Sequence, residues 1–100
     1  MAFPGLHNIQ ILRGLINNRS LLSCTGDGTK VDLFPQDDKS GRQRWIFEPV
    51  EGDIYNIIVS GGVTSGRKFL SCTSDGTKVD LFGEDDGSGR QRWQIQGIFE

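Results

Sequence analysis

The chain carries one stretch of sequence twice. Leu22 to Trp45 reads LSCTGDGTKVDLFPQDDKSGRQRW, and Leu70 to Trp93 reads LSCTSDGTKVDLFGEDDGSGRQRW. The offset is 48 residues. Of the 24 aligned positions 20 are identical, the exceptions being Gly26/Ser74, Pro35/Gly83, Gln36/Glu84 and Lys39/Gly87. Two near-copies in 100 residues restrict the fold to architectures that repeat one supersecondary unit and bury its apolar face against the next copy. The match continues upstream: His7-Asn8-Ile9-Gln10-Ile11 aligns with Tyr55-Asn56-Ile57-Ile58-Val59, Gly14 with Gly62, and Arg19 with Arg67. The units are about 7–50 and 55–98 within a single domain spanning 1–100. Pro49-Val50-Glu51-Gly52-Asp53 forms a turn-rich junction between them.

Each unit reads as four strands. They fall at Asn8–Leu12, Ser20–Thr25, Thr29–Phe34 and Arg42–Phe47. The second copy repeats them at Asn56–Ser60, Lys68–Thr73, Thr77–Phe82 and Arg90–Ile95. Asp27-Gly28 and Asp75-Gly76 mark hairpins between the second and third strands. No stretch repeats its apolar residues at 3.6, and 14 glycines suit many tight turns, so the fold class is all-β, a barrel or sandwich. Strand parity puts Ile9, Ile11, Leu22, Cys24, Val31, Leu33, Trp45, Phe47 and their counterparts in the core. Gln43 and Gln91, two before each Trp, share that face. A buried amide needs partners, and the adjacent Asp/Gly loop backbone supplies them.

Charge and cysteine usage narrow the function classes. A formal net charge of −2 with interspersed signs lacks the basic stripe that nucleic acid or an anionic membrane calls for. No apolar run is long enough to span a bilayer, and MAFPGLHNIQ lacks a signal peptide's basic and apolar regions. The expected location is cytoplasmic, or secreted without a leader. Cys24 and Cys72 occupy equivalent positions and are expected as separate buried thiols rather than a disulfide. His7 is the only histidine and aligns with Tyr55, which argues against a catalytic or ligand role. No nucleophile–base pair, phosphate loop or metal-ligand spacing is present, so neither an enzyme nor a cofactor is expected.

The best binding candidates are Asp32 with Phe34 and Asp80 with Phe82. Each pair sits two apart on the face opposite the core. A carboxylate there accepts hydrogen bonds from hydroxyls while the ring packs on an apolar C–H face. The loops Asp37-Asp38-Lys39-Ser40-Gly41-Arg42 and Glu84-Asp85-Asp86-Gly87-Ser88-Gly89-Arg90 cluster acids beside an arginine. They read as a polar rim, as a hard-cation site without EF-hand spacing, or as solvated turns with local Asp–Arg pairs.

A strand ending in an aromatic, then a polar Gly-rich loop, then Gln-x-Trp resembles the β-trefoil, and ricin-B-like lectins in particular. Here it reads Val31-Asp32-Leu33-Phe34, loop, Gln43-Arg44-Trp45, and again Val79-Asp80-Leu81-Phe82, loop, Gln91-Arg92-Trp93. Gly66-Arg67-Lys68-Phe69-Leu70-Ser71 is also similar to trefoils of the fascin-like kind. The resemblance implies a carbohydrate-binding protein with one sugar site per unit. The aromatic platforms would be Phe34 and Phe82, with Asp32 and Asp80 beside them. The loop residues would be Asp37, Asp38 and Arg42, and Asp85, Asp86 and Arg90. Glycans or glycoproteins would be the partners, captured at several sites at once. The chain departs from the family in three ways. Thr25 and Thr73 stand near the position of the family's early acid, the platforms are Phe rather than Trp, and two units replace the usual three. Completion of the barrel by self-association into a homo-oligomer, closure as a two-unit barrel, and membership of a longer protein are the three alternatives. A cytoskeletal protein-binding trefoil and a protease-inhibitor trefoil are the other functional readings.

Overall fold

A computed structural model describes residues 5–96, in which all regular structure is β-strand. The strands are β1 (Leu6–His7), β2 (Leu21–Cys24), β3 (Val31–Phe34), β4 (Trp45–Glu51), β5 (Ile54–Val59), β6 (Phe69–Cys72), β7 (Val79–Phe82) and β8 (Trp93–Gln94). Every pairing is antiparallel. One sheet runs β1-β4-β5-β6-β7 with β8 also on β5, and β2-β3 forms a separate hairpin.

The sequence repeat is a repeat of register. Leu6↔Ile46 and His7↔Trp45 recur 48 residues on as Ile54↔Gln94 and Tyr55↔Trp93. The four β2–β3 pairs recur in β6–β7, and the isolated bridge Gln10↔Leu21 recurs as Ile58↔Phe69. The copies are joined by the β4–β5 hairpin, from Trp45↔Val59 to Glu51↔Ile54. A register shift between Pro49 and Glu51 accommodates a proline that cannot donate to the ladder.

The hairpin turns follow from their side chains. Gly28 N donates to the Thr25 carbonyl at 3.0 Å, and Gly28 takes a left-handed φ of 74°. Asp27 Oδ1 accepts from Thr29 N, Thr29 Oγ1 and Thr25 Oγ1 at 3.0, 2.7 and 2.7 Å, an Asx-type turn that clips both sides of the loop. Asp75 repeats this with Thr73 and Thr77.

The core is built from Cys24, Trp45, Ile57, Val59, Leu70 and Leu81. Ile9, Leu22, Val31, Phe47, Val63, Trp93 and Ile95 pack against it. Most expected core positions are therefore inside, but Ile11 and Val79 are 42% and 46% exposed. The expected first strand Asn8–Leu12 is also not a strand. β1 lies earlier, and residues 8–12 are held by the Gln10 bridge, by Ile11 N donating to the Ser20 carbonyl, and by Leu22 N donating to the Ile9 carbonyl. The reason is neighbours. The corresponding segment, β5, is flanked by β4 on one side and by β6 and β8 on the other, whereas the backbone of residues 8–12 is paired only with residues 20–22 among the described residues. The expected junction is shorter too, since Pro49, Val50 and Glu51 continue β4 and only Gly52-Asp53 turns. Both cysteines are free thiols.

Candidate ligand-binding surface

The loop after each hairpin is fixed by one buried glutamine. Gln43 Nε2 donates to Ser23 Oγ at 2.9 Å, and Gln43 Oε1 accepts from Asp38 N at 3.0 Å. Trp45 Nε1 donates to the Leu22 carbonyl at 3.0 Å. Gln91 repeats both bonds with Ser71 and Asp86, and Trp93 repeats its own with Leu70. Ser23 and Ser71 pair with Asp32 and Asp80 across the hairpins. The loop thus curls over the same hairpin face that carries the acid and the aromatic. That confirms the expectation that the glutamine ties down the Asp/Gly loop.

The loop acids are spoken for. Asp37 Oδ2 accepts from Arg44 Nε at 2.8 Å and from Asn8 Nδ2 at 3.2 Å, and Asp37 Oδ1 accepts from Lys39 N at 2.9 Å. Asn8 Nδ2 also donates to the Gln43 carbonyl at 2.7 Å. Asp38 accepts from Ser40 N at 2.9 Å and from an Arg42 guanidinium nitrogen at 3.3 Å. The second loop copies every one of these bonds through Asp85, Arg92, Asn56, Gly87, Asp86, Ser88 and Arg90. Asp37, Asp38 and Arg42, like Asp85, Asp86 and Arg90, therefore shape the loop with local pairs. Lys39 has a φ of 69° where the second copy has Gly87 at 82°, so the first loop carries backbone strain that glycine avoids.

Asp32 and Phe34 remain beside this frame, Asp32 exposed and Phe34 half-buried. Over the Phe34 ring lies the Arg19 guanidinium, 5.7 Å from the centroid, and Arg67 sits over Phe82 at the same distance. Both fall within cation–π range. The two arginines are residues of this candidate surface that strand reading missed, because they lie in loops where parity says nothing. Their signal was alignment at the repeat offset, shared with the loop-fixing Asn8/Asn56 and Arg44/Arg92. The assembled surface in each copy is a carboxylate, an aromatic ring and a stacked guanidinium in a row. It can accept from hydroxyls, donate to oxygens and cover an apolar patch.

Cys24 is a buried free thiol on the hairpin that carries this surface. Burial pushes its thiol up to about 11, the Asp32 carboxylate adds to the shift, and the Arg42 guanidinium opposes it. A concavity of roughly 550 Å³ lies between the two hairpins. Val31, Val79, Lys30 and Lys78 line it, and of the candidate site residues only Asp80 borders it.

The Asx turns and loop pairs set an acid limit. Hydrogen bonds from Thr25 and Thr29 hold Asp27 at about 2, and those from Thr73 and Thr77 do the same for Asp75. Arg44, the Lys39 amide and Asn8 hold Asp37 at about 2; Asn56, Arg92 and the Gly87 amide do so for Asp85. The ordinary value is 3.8, so between about 4 and 2 the unfolded chain binds more protons than the folded one. Stability from these groups is complete above that window and is lost as pH falls through it. Thermal melts are expected to be flat in this contribution down to pH ~4 and to drop steeply toward pH 2. A melting temperature unchanged at pH 2.5 would show that these pairs do not support the fold.

Comparison with protein-family models, curated proteins and solved structures finds no match to this chain.

Proposed function

We propose that the chain is a carbohydrate-binding lectin of β-trefoil type, with two sites of one composition, that captures multivalent glycans without catalysis. The observation that carries this is the duplicated surface row of Asp32, Phe34 and Arg19, matched by Asp80, Phe82 and Arg67, on loop frames that repeat bond for bond. Keeping a core needs repeated Leu, Val and Trp. It does not need a repeated outward carboxylate beside an arginine-capped ring. A pyranose presents the complement: hydroxyls for the carboxylate and guanidinium, and C–H groups for the ring.

The trefoil reading is supported by the hairpin inserted between each unit's outer strands and by the Gln-x-Trp residues bracing each loop. Individually weak sites gain avidity when several are engaged together. Self-association into a homo-oligomer multiplies the sites further. Its support is apolar surface left in water, notably Leu12 at 86% and Ile16 at 103% exposure.

The test is a glycan array probed with the native chain and with an Asp32→Ala/Asp80→Ala double variant. At least one saccharide class is expected to be retained by the native chain. The double variant is expected to bind it at least ~10-fold more weakly, in line with loss of charge-assisted hydrogen bonds. An array on which the native chain retains nothing sinks the proposal, as does retention that the double variant leaves unchanged.

A further inference from the structure

The second unit is fastened to the first by the segment Ser60 to Ser65, which lies on the first unit's hairpin turn and loop. Ser60 N donates to the Arg44 carbonyl at 2.8 Å, Thr64 N to the Gly26 carbonyl at 2.8 Å, and Ser65 Oγ to the Asp27 carbonyl at 2.9 Å. Packing there is tight, and Gly28 and Gly41 are both buried. A Cβ on Gly28 would lie 2.7 Å from Ser65 Oγ and 2.8 Å from Val63 Cγ1, and one on Gly41 would lie 2.8 Å from Gly61 Cα.

At the repeat offset the same two surfaces recur, each without the other. Gly76 and Gly89, the counterparts of Gly28 and Gly41, are exposed, and a Cβ on either would meet nothing within 4 Å. The segment Leu12 to Asn17, the counterpart of Ser60 to Ser65, is exposed throughout. Yet it carries Leu12, Leu15 and Ile16 where the covered segment has Ser60, Val63 and Thr64. Leu15 is 39% exposed, and Ile11 is 42% exposed against 1% for its counterpart Val59. The docking shape is already formed. Gly14 has a φ of 88° against 78° at Gly62, and Arg19 N donates to Asn17 Oδ1 as Arg67 N donates to Ser65 Oγ. Asn17 Nδ2 is left to donate as Ser65 Oγ does. Arg13 in place of Gly61 also fits, since a Cβ on Gly61 would meet only the Ser40 carbonyl oxygen, at an ordinary 3.5 Å.

We propose that a second molecule of this chain docks head to tail, its segment Leu12 to Asn17 lying on the Asp75-Gly76 turn and the Gly89 loop of the first. This inference rests on the self-association stated above and is independent of sugar binding. The β4–β5 register, carried over by the repeat offset, pairs Trp93 with the partner's Ile11, Gln94 with the partner's Gln10 and Ile95 with the partner's Ile9. The backbone of residues 8–12 is paired only with residues 20–22 among the described residues, so its other edge is open to this ladder. The receiving surface repeats the one already used within the chain. Asp75, Gly76, Gly89 and Arg92 are identical to their counterparts, and only Ser74 replaces Gly26, where a Cβ would meet the Gly62 carbonyl oxygen at 3.9 Å. Ile11 and Leu15 leave water on docking, and the partly buried Trp93 is covered. The contact is heterologous, since the two molecules use different faces. It also fixes the segment that carries Arg19 over Phe34, as the first unit already fixes Arg67 over Phe82.

The test is solution mass by light scattering on the native chain and on two variants, each blocking one face. Leu15→Asp puts a carboxylate on the inserting segment. Ser74→Glu puts a long charged side chain on the receiving turn, toward the carbonyl of the partner's Gly14. Both residues are exposed, so the circular dichroism of each dilute variant is expected to match that of the native chain. Ile16→Asp, at a fully exposed residue of the same segment, is expected to behave as Leu15→Asp does. The mass of the native chain is expected to rise with concentration. Each variant alone is expected to associate at least ~10-fold more weakly. An equimolar mixture of Leu15→Asp and Ser74→Glu is expected to form a one-to-one heterodimer, because each keeps the face that the other has lost. A mixture that stays monomeric, or either variant associating alone as the native chain does, overturns this inference and leaves self-association standing. A native chain that is monomeric at every concentration overturns both. The glycan array reports on the lectin reading separately from either result.

Discussion

Trp45→Ala is expected to leave the chain largely unfolded near 37 °C, and Trp93→Ala to leave it folded. The two tryptophans occupy the same position in the repeat, but Trp45 is fully buried while Trp93 is only partly so. β4 lies between β1 and β5, so Trp45 pairs with His7 on one side and Val59 on the other. Trp93 pairs with Tyr55 alone among the described residues. Truncating a fully buried tryptophan costs about 3–5 kcal/mol, a large share of the ~5–15 kcal/mol that holds a domain of this size together. The Leu22 carbonyl also loses the indole donor 3.0 Å away. For a chain of this length the fall in melting temperature is ~15–30 °C. Trp93→Ala loses the equivalent bond to Leu70 but leaves a smaller void, so roughly half that fall is expected. Melts followed by circular dichroism decide the matter, and equal losses for the two variants would contradict the packing described above.

That contrast marks what the sequence made legible. Parity placed Leu22, Cys24, Leu81 and Trp45 in the core correctly because strand side chains alternate whatever lies beyond them. The Asp-Gly turns were readable because Asp27 and Asp75 close their loops with residues two away in the chain. Gln43 was readable as a loop brace because a buried amide demands partners. What parity could not supply was the neighbour. Val31 and Val79 are the same residue at the same position of equivalent strands, yet one is half-buried and the other exposed, since burial depends on which unit lies alongside. Residues 8–12 have a β-branched alternating pattern, yet they form no strand when paired on one side only. The arginines over Phe34 and Phe82 escaped for a related reason. Each lies at least fifteen residues before its ring, on a loop whose path no local rule fixes, and only identity between the copies pointed to it.

Gln43→Leu is expected to loosen the first loop as a unit, and Gln91→Leu the second. Leucine matches the volume of glutamine and removes both polar atoms, so the loss is not one of packing. Ser23 Oγ loses its donor and Asp38 N its acceptor, in a region where Gln43 and Ser23 are both buried. Each unmet buried group costs ~1–3 kcal/mol, so the variant is expected to lose ~2–5 kcal/mol. Gln43→Glu should be no milder, because it replaces the Nε2 donor and brings a charge into the same enclosure. The site feels the change through geometry. Asp38 N is the loop's tether, and Asp37 and Asp38 position Arg44 and Arg42 from the residues on either side of it. Amide exchange at Asp38 is therefore expected to accelerate ~30-fold or more in Gln43→Leu, while Asp86, braced by Gln91, stays protected. The reverse pattern is expected in Gln91→Leu. Exchange that quickens equally in both loops would mean that the braces are not local, and that the two surface rows do not rest on separate frames.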